Sequence, residues 1–111
     1  MANFRNAITG TLASVNAEVS LAWRHFDNGG VGVQMTGSLA GTVLIEGTID
    51  GTNYVVLAFV NAATGAVVAG ATGFTSNGIY RTEAVGLLKV RARCSVYTSG
   101  TGTITLVALA N

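Results

Sequence analysis

Charged side chains are scarce in this sequence, so the few that fall at regular spacing stand out. Glu46 and Asp50 lie four residues apart in Gly41–Tyr54, GTVLIEGTIDGTNY, and Lys89, Arg91 and Arg93 alternate along KVRARCSVY. Two carboxylates can divide acid and base duties or ligate a hard cation through oxygen. The GTIDGTN loop lacks the run of oxygen ligands at alternate positions that an EF-hand loop uses, which argues against calcium. A structural use is favoured instead. Glu46 ends a strand on the face opposite Ile45, and Arg91 or Arg93 is expected to meet it in a bidentate ion pair that holds strand register.

Other chemistries find less support. His25, the only histidine, stands beside Arg24 and near Asp27, but no serine sits in a G-x-S-x-G context and no nucleophile–base set is legible. One His, one Cys and scattered carboxylates offer no metal-ligand spacing, and no cofactor is expected. Cys94 alternates with Val90, Ala92 and Val96, so it reads as a small buried thiol on an apolar strand face. The Lys89/Arg91/Arg93 stripe lacks interleaved aromatics and is weak as a nucleic-acid signal; a salt-bridged sheet face or an acidic partner suits it better. No phosphate-loop pattern occurs. Trp23, Phe26, Tyr54, Tyr80 and Tyr97 could furnish a sugar-binding platform, although Trp23 alternates with Val19 and Leu21 and so reads as core.

These groups must be positioned by short strands. Glu18–Arg24, Val31–Thr36, Leu88–Tyr97 and Thr103–Ala110 alternate apolar and polar residues with period two, and Ile8–Val15 does so weakly. Asp50-Gly51 between Val43–Gly47 and Tyr54–Val60 is a hairpin signal, because glycine accepts positive φ without a Cβ clash. Ala66–Ala71 and Ile79–Thr82 add two shorter strands, and Thr98–Gly102 is a tight turn. Fifteen glycines and no proline suit turn-rich antiparallel sheets, and no amphipathic helix is present in the pattern. Eight or nine short strands are predicted, forming an all-β antiparallel sandwich of jelly-roll type over residues 8–111. Met1–Ala7 has no period and is expected to be an N-terminal arm, with Asn3, Phe4 and Arg5 as its partner contacts.

A chain of 111 residues is one domain by size. Charged residues make up only 10% of it, against about 25% in an average soluble domain, and the formal net charge is +1. Such a surface lacks self-repulsion and suits a subunit packed among neighbours. The same balance predicts no electrostatic grip on nucleic acid or anionic lipid. Asn61, Thr64 and Gly65 interrupt the apolar stretch Tyr54–Ala71, which argues for buried strands rather than a membrane span. A secretory leader is not expected from the first residues.

The order GVQMTGSLAGTVLIEGTIDGTNY, then SNGIYRTEAVGLLKVRARCSVYTSGTGTITLVALA, resembles a group of small all-β bacteriophage structural proteins. In these a G-T-x-x-x-E-G-S/T-x-D-G-T hairpin precedes a G-x-Y/W-R segment, a G-L-x-x-V-R-x-R strand and a final Y-T-S-G-T hairpin. The likeness spans Gly32–Ala110, with Tyr54-Val55 where a Trp is usual. It implies a virion component and not an enzyme, made in the host cytoplasm and carried on the capsid surface. The role implied is a cement (decoration) protein that contacts the major capsid protein, or another virion protein, as a homo-oligomer, commonly a trimer. A tail- or fibre-associated module that binds host glycans is the alternative.

Overall fold

The computed structural model of the chain describes residues 4–22, 30–84 and 86–110, with residues 4, 5, 109 and 110 described in backbone only. Ten strands occur among them: β1 (Phe4–Leu12), β2 (Glu18–Ala22), β3 (Gly30–Gly37), β4 (Ala40–Thr48), β5 (Val55–Val56), β6 (Phe59–Asn61), β7 (Val67–Val68), β8 (Gly78–Glu83), β9 (Lys89–Ser99) and β10 (Gly102–Ala110). A six-stranded sheet runs β1-β10-β3-β8-β6-β7, and a four-stranded sheet runs β2-β9-β4-β5. All pairings are antiparallel. With the β6–β7 hairpin set aside, the sheets are β1-β10-β3-β8 and β2-β9-β4-β5. Successive strands β1 to β4 alternate between them, which is the wrapping of a jelly roll.

Period-two alternation places the core as the sequence predicts. Val31, Val33 and Met35 of β3 face Ile104 and Leu106 of β10 and the opposing Val90, Ala92 and Cys94 of β9, all buried between the sheets. The same core continues to β6, where Phe59 meets Phe74 and Tyr80 edge-on and the latter two stack at 4.1 Å between centroids. The Tyr80 hydroxyl donates to the Ser76 carbonyl at 2.7 Å, so its buried polar tip is satisfied.

Several expectations need correction. Phe4–Ala7, predicted as part of an arm, pairs with Val107–Ala110 as the first half of β1, and Met1–Asn3 lie outside the described residues. Backbone N–H and C=O groups seek ladder partners whatever the side-chain pattern, so a stretch without alternation can still be a strand. Ten strands, not eight or nine, occur among the described residues, because Tyr54–Val60 is divided between the sheets. Val55–Val56 pairs with Glu46–Gly47, the Leu57 N–H donates to the Ile45 carbonyl, and the chain then crosses so that Phe59 enters the aromatic cluster. Ala66–Ala71 is strand only at Val67–Val68.

Val96 is the one residue on the predicted apolar face of β9 that points out, with 54% of its surface exposed. Val43 pairs with Cys94 and Thr42 with Val96, leaving Ser95 as the extra residue of a β-bulge. The bulge resets the alternation, so Tyr97 packs on the core and its hydroxyl donates to the Gly100 carbonyl at 2.9 Å. The turn that follows is not a hairpin, since β9 and β10 belong to different sheets. It is held by the Ser38 N–H donating to the Thr101 carbonyl, and Gly100 has φ +80°, where a Cβ would fall on the Ser38 carbonyl oxygen.

Candidate functional site

The charged residues singled out in the sequence converge on the outer face of the four-stranded sheet. β4 and β9 set Glu46 directly opposite Arg91, with Arg93 one diagonal step away, and β2 sets Glu18 opposite Arg93. Arg91 Nε donates to Glu46 Oε1 at 2.7 Å; Arg93 Nε and one terminal nitrogen donate to Oε1 and Oε2, each at 3.0 Å. The Arg93 pair is therefore bidentate. Arg91 also donates to Glu18 Oε2 at 2.8 Å, and Arg93 to Asn16 Oδ1 at 2.9 Å. The Arg91 guanidinium lies 3.6 Å from the centre of the Tyr54 ring, a cation–π contact that covers the network on the β5 side.

The electrostatics follow from that geometry. Glu46 is only 5% exposed, and burial alone, the largest single influence, would push its pKa up. Hydrogen bonds from Arg93 and Arg91 and the charges of both guanidiniums together outweigh it, so the carboxyl sits below the ordinary glutamate value. A carboxylate held ionised between two arginines has no proton to donate near neutrality. What this arrangement does is clamp β2, β9 and β4 in one register. Sequence reasoning did not find the parts played by Glu18, Asn16 and Tyr54, because their contacts depend on pairing across the sheet.

Asp50 does not join Glu46. Its carboxylate accepts from the backbone N–H groups of Thr52 and Asn53 at 2.8 Å each, from Asn53 Nδ2 at 2.7 Å and from Thr48 Oγ1 at 3.0 Å. The Asn53 and Thr52 amides, then the two side chains, hold its carboxyl far below the usual aspartate range. Gly51 takes φ +85° at the same turn, as the Asp-Gly signal requires. Asp50→Ala removes the acceptor for all four donors. Amide hydrogen exchange at Thr52 and Asn53 should then accelerate by at least ~10-fold while strand amides in β3 and β10 keep their protection; uniform protection across the turn would show that Asp50 does not hold it.

Of the aromatics considered for a sugar platform, Tyr80 is in the core, Tyr97 is half-buried and Tyr54 is under Arg91. Trp23, His25, Phe26 and Asn3 lie outside the described residues; Phe4 and Arg5 are placed in β1 by their backbone. Cys94 is fully buried, and burial pushes its thiol up despite Arg93 nearby, which makes it a poor nucleophile. Among the described residues no three His, Cys, Asp or Glu side chains gather as a metal site. No described helix is long and apolar enough to cross a membrane. An apolar groove of about 390 Å³ opens over Gly47, walled by Val55, Leu57 and Leu87, with exposed Ile49 at its rim.

No protein-family model matches the chain, and no curated protein matches it in sequence. Among solved structures it is similar to the SPBc2 prophage-derived protein YomS, at 14% identity over 96% of this chain and 95% of that one, with TM-score 0.75. It is also similar to the PBSX exported protein XepA, at 11% identity, TM-score 0.73, over 96% of this chain and 38% of that one. At such identities the likeness is one of fold.

Proposed function

We propose that this chain is a phage virion structural protein, a cement protein that binds the major capsid protein in assembled heads and stabilises the shell from its surface. The observation that carries the reading is the fold match with a prophage-derived protein, which runs over 96% of this chain and 95% of that one. The order of the Glu46–Thr52 hairpin, the Leu87–Arg93 strand and the Tyr97–Thr101 turn supports the same assignment. So does the surface. Only 10% of the residues are charged, and Ile49, Val55, Val67 and Leu88 stand exposed on the side of the sandwich bounded by β5 and β7. Exposed apolar side chains on a weakly charged surface are available for contact with a neighbour. Stabilisation would follow from mass action: a subunit that binds the assembled shell but not free capsid protein adds about 2.7 kcal/mol per site at a hundredfold excess over its Kd.

The purified chain, mixed with empty heads of the phage that encodes it and sedimented, should pellet at a fixed ratio to the capsid subunit. It should also raise the temperature at which the heads come apart. A chain left in the supernatant, with head stability unchanged, would overturn the cement reading and favour an exported or tail-associated product.

A further inference from the structure

Four strands form the edges of the two sheets, and three of them are blunted. β5 and β7 are two residues long, and β2 has five residues and carries Glu18 at its end. β1 is different. It runs nine residues in unbroken register against β10, with no bulge and no proline, and from Asn6 to Leu12 it carries no charge. Its other side pairs with no strand among the described residues. Alternate residues of such a strand turn N–H and C=O groups away from the sheet, and natural proteins seldom leave a long, flat, uncharged edge unprotected.

We infer that β1 is an association edge, and that its occupant is β1 of a second copy, paired antiparallel about a two-fold axis. Self-pairing with full overlap matches residues whose numbers sum to sixteen, so Phe4 meets Leu12 of the second copy and Ile8 meets Ile8 of the second copy. Ile8 is the midpoint of the strand and its exposed large apolar side chain, 40% accessible in the single chain. Two-fold pairing therefore covers that isoleucine with its own symmetry mate. Ala7 and Thr9 face each other on either side, and no like charges are set opposite. The two six-stranded sheets then become one continuous sheet. Contacts of this kind are isologous and close at two copies, so the unit they build is a dimer and not the trimer implied by family resemblance. The inference does not depend on capsid binding.

Light scattering on the full chain should give the mass of a dimer. Ile8→Lys sets two ammonium groups against each other on the axis and should weaken dimerisation at least ~10-fold. Ile8→Cys supplies a second test that leaves the fold unstressed. Paired residues in an antiparallel ladder have Cα atoms about 4.5–5.5 Å apart, within disulfide reach, so mild oxidation should yield a covalent dimer. Thr11→Cys is the control: its symmetry mate lies six residues along, ~20 Å away, and it should not cross-link. Cys94 is buried and adds no background. A monomer or trimer by mass, or equal cross-linking from both cysteine variants, would overturn the proposal.

Discussion

Glu46→Ala should destabilise the fold by about 3 kcal/mol or more, the range seen when one partner of a buried ion pair is removed. For a domain of this size that is a fall in Tm of roughly 12 °C. The reason is asymmetry. Arg91 and Arg93 keep their place on the sheet, at 19% and 24% side-chain exposure, with the buried carboxylate they share gone and only the more exposed Glu18 left beside them. Glu46→Gln keeps the shape and one acceptor oxygen and should cost somewhat less. Glu18→Gln breaks an ion pair whose carboxylate is far more exposed, and should change stability by under about 1 kcal/mol. Thermal melts of the three variants check the ordering; a Glu46→Ala melt within 2 °C of the parent, a margin of about 0.5 kcal/mol, would sink the clamp.

The same network makes a pH prediction. The Glu46 pKa is lowered in the folded chain from an ordinary value of 4.5. The unfolded chain therefore takes up a proton at a pH where the folded chain still refuses it. The stabilisation is fully present above pH 4.5 and is lost as pH falls through 4.5 toward the lower, folded value. Asp50, whose carboxyl is lowered by its own turn, acts with the same sign. Urea midpoints should be level near neutrality and fall below about pH 4.5, and Glu46→Gln should fall less steeply because only the Asp50 part remains. Equal slopes for parent and variant would assign the acid sensitivity elsewhere.

Phe59→Ala should be the most damaging of the core substitutions, at about 3–5 kcal/mol. The ring is 2% exposed and meets two others edge-on, Phe74 at 5.8 Å and Tyr80 at 5.5 Å between centroids. Phe74 belongs to the segment that bridges to Val43 of the four-stranded sheet, whereas Phe59 and Tyr80 lie in the six-stranded one. Deleting the ring leaves a void at a point where both sheets are tied, and the stacked pair beside it cannot collapse without breaking the Tyr80–Ser76 hydrogen bond. Near-ultraviolet circular dichroism should lose part of its tyrosine signal along with the drop in Tm. Phe59→Leu, which keeps most of the volume, should recover much of the loss. If alanine and leucine cost the same, the aromatic contacts are not what the site uses.

How far these properties were legible can be judged residue by residue. Alternation in GVGVQMTG and KVRARCSVY marked Val31, Val33, Met35, Val90, Ala92 and Cys94 as inward-facing, and all are buried. Asp50-Gly51 announced its turn. The pairing of Glu46 with Arg91 or Arg93 was expected from residue type and face alone; that both arginines share the one carboxylate required the β4–β9 register. Val96 misled because the Ser95 bulge has no signature in a stretch of ordinary strand residues. Phe4–Ala7 misled for the opposite reason, a strand without a side-chain pattern.

Local chemistry is what the amino-acid sequence determined here: which faces are apolar, where glycine permits a reversal, and that short strands must build two packed sheets. These follow from backbone periodicity and steric limits that act over a few residues. Tertiary structure decided which strands are neighbours. β1 pairs with β10 from the far end of the chain, Tyr54–Val60 is divided between two sheets, and Glu46 meets arginines 45 and 47 residues away. Choices of that kind rest on how the whole core fills and closes, with each strand's edge satisfied by a partner that its own residues do not specify.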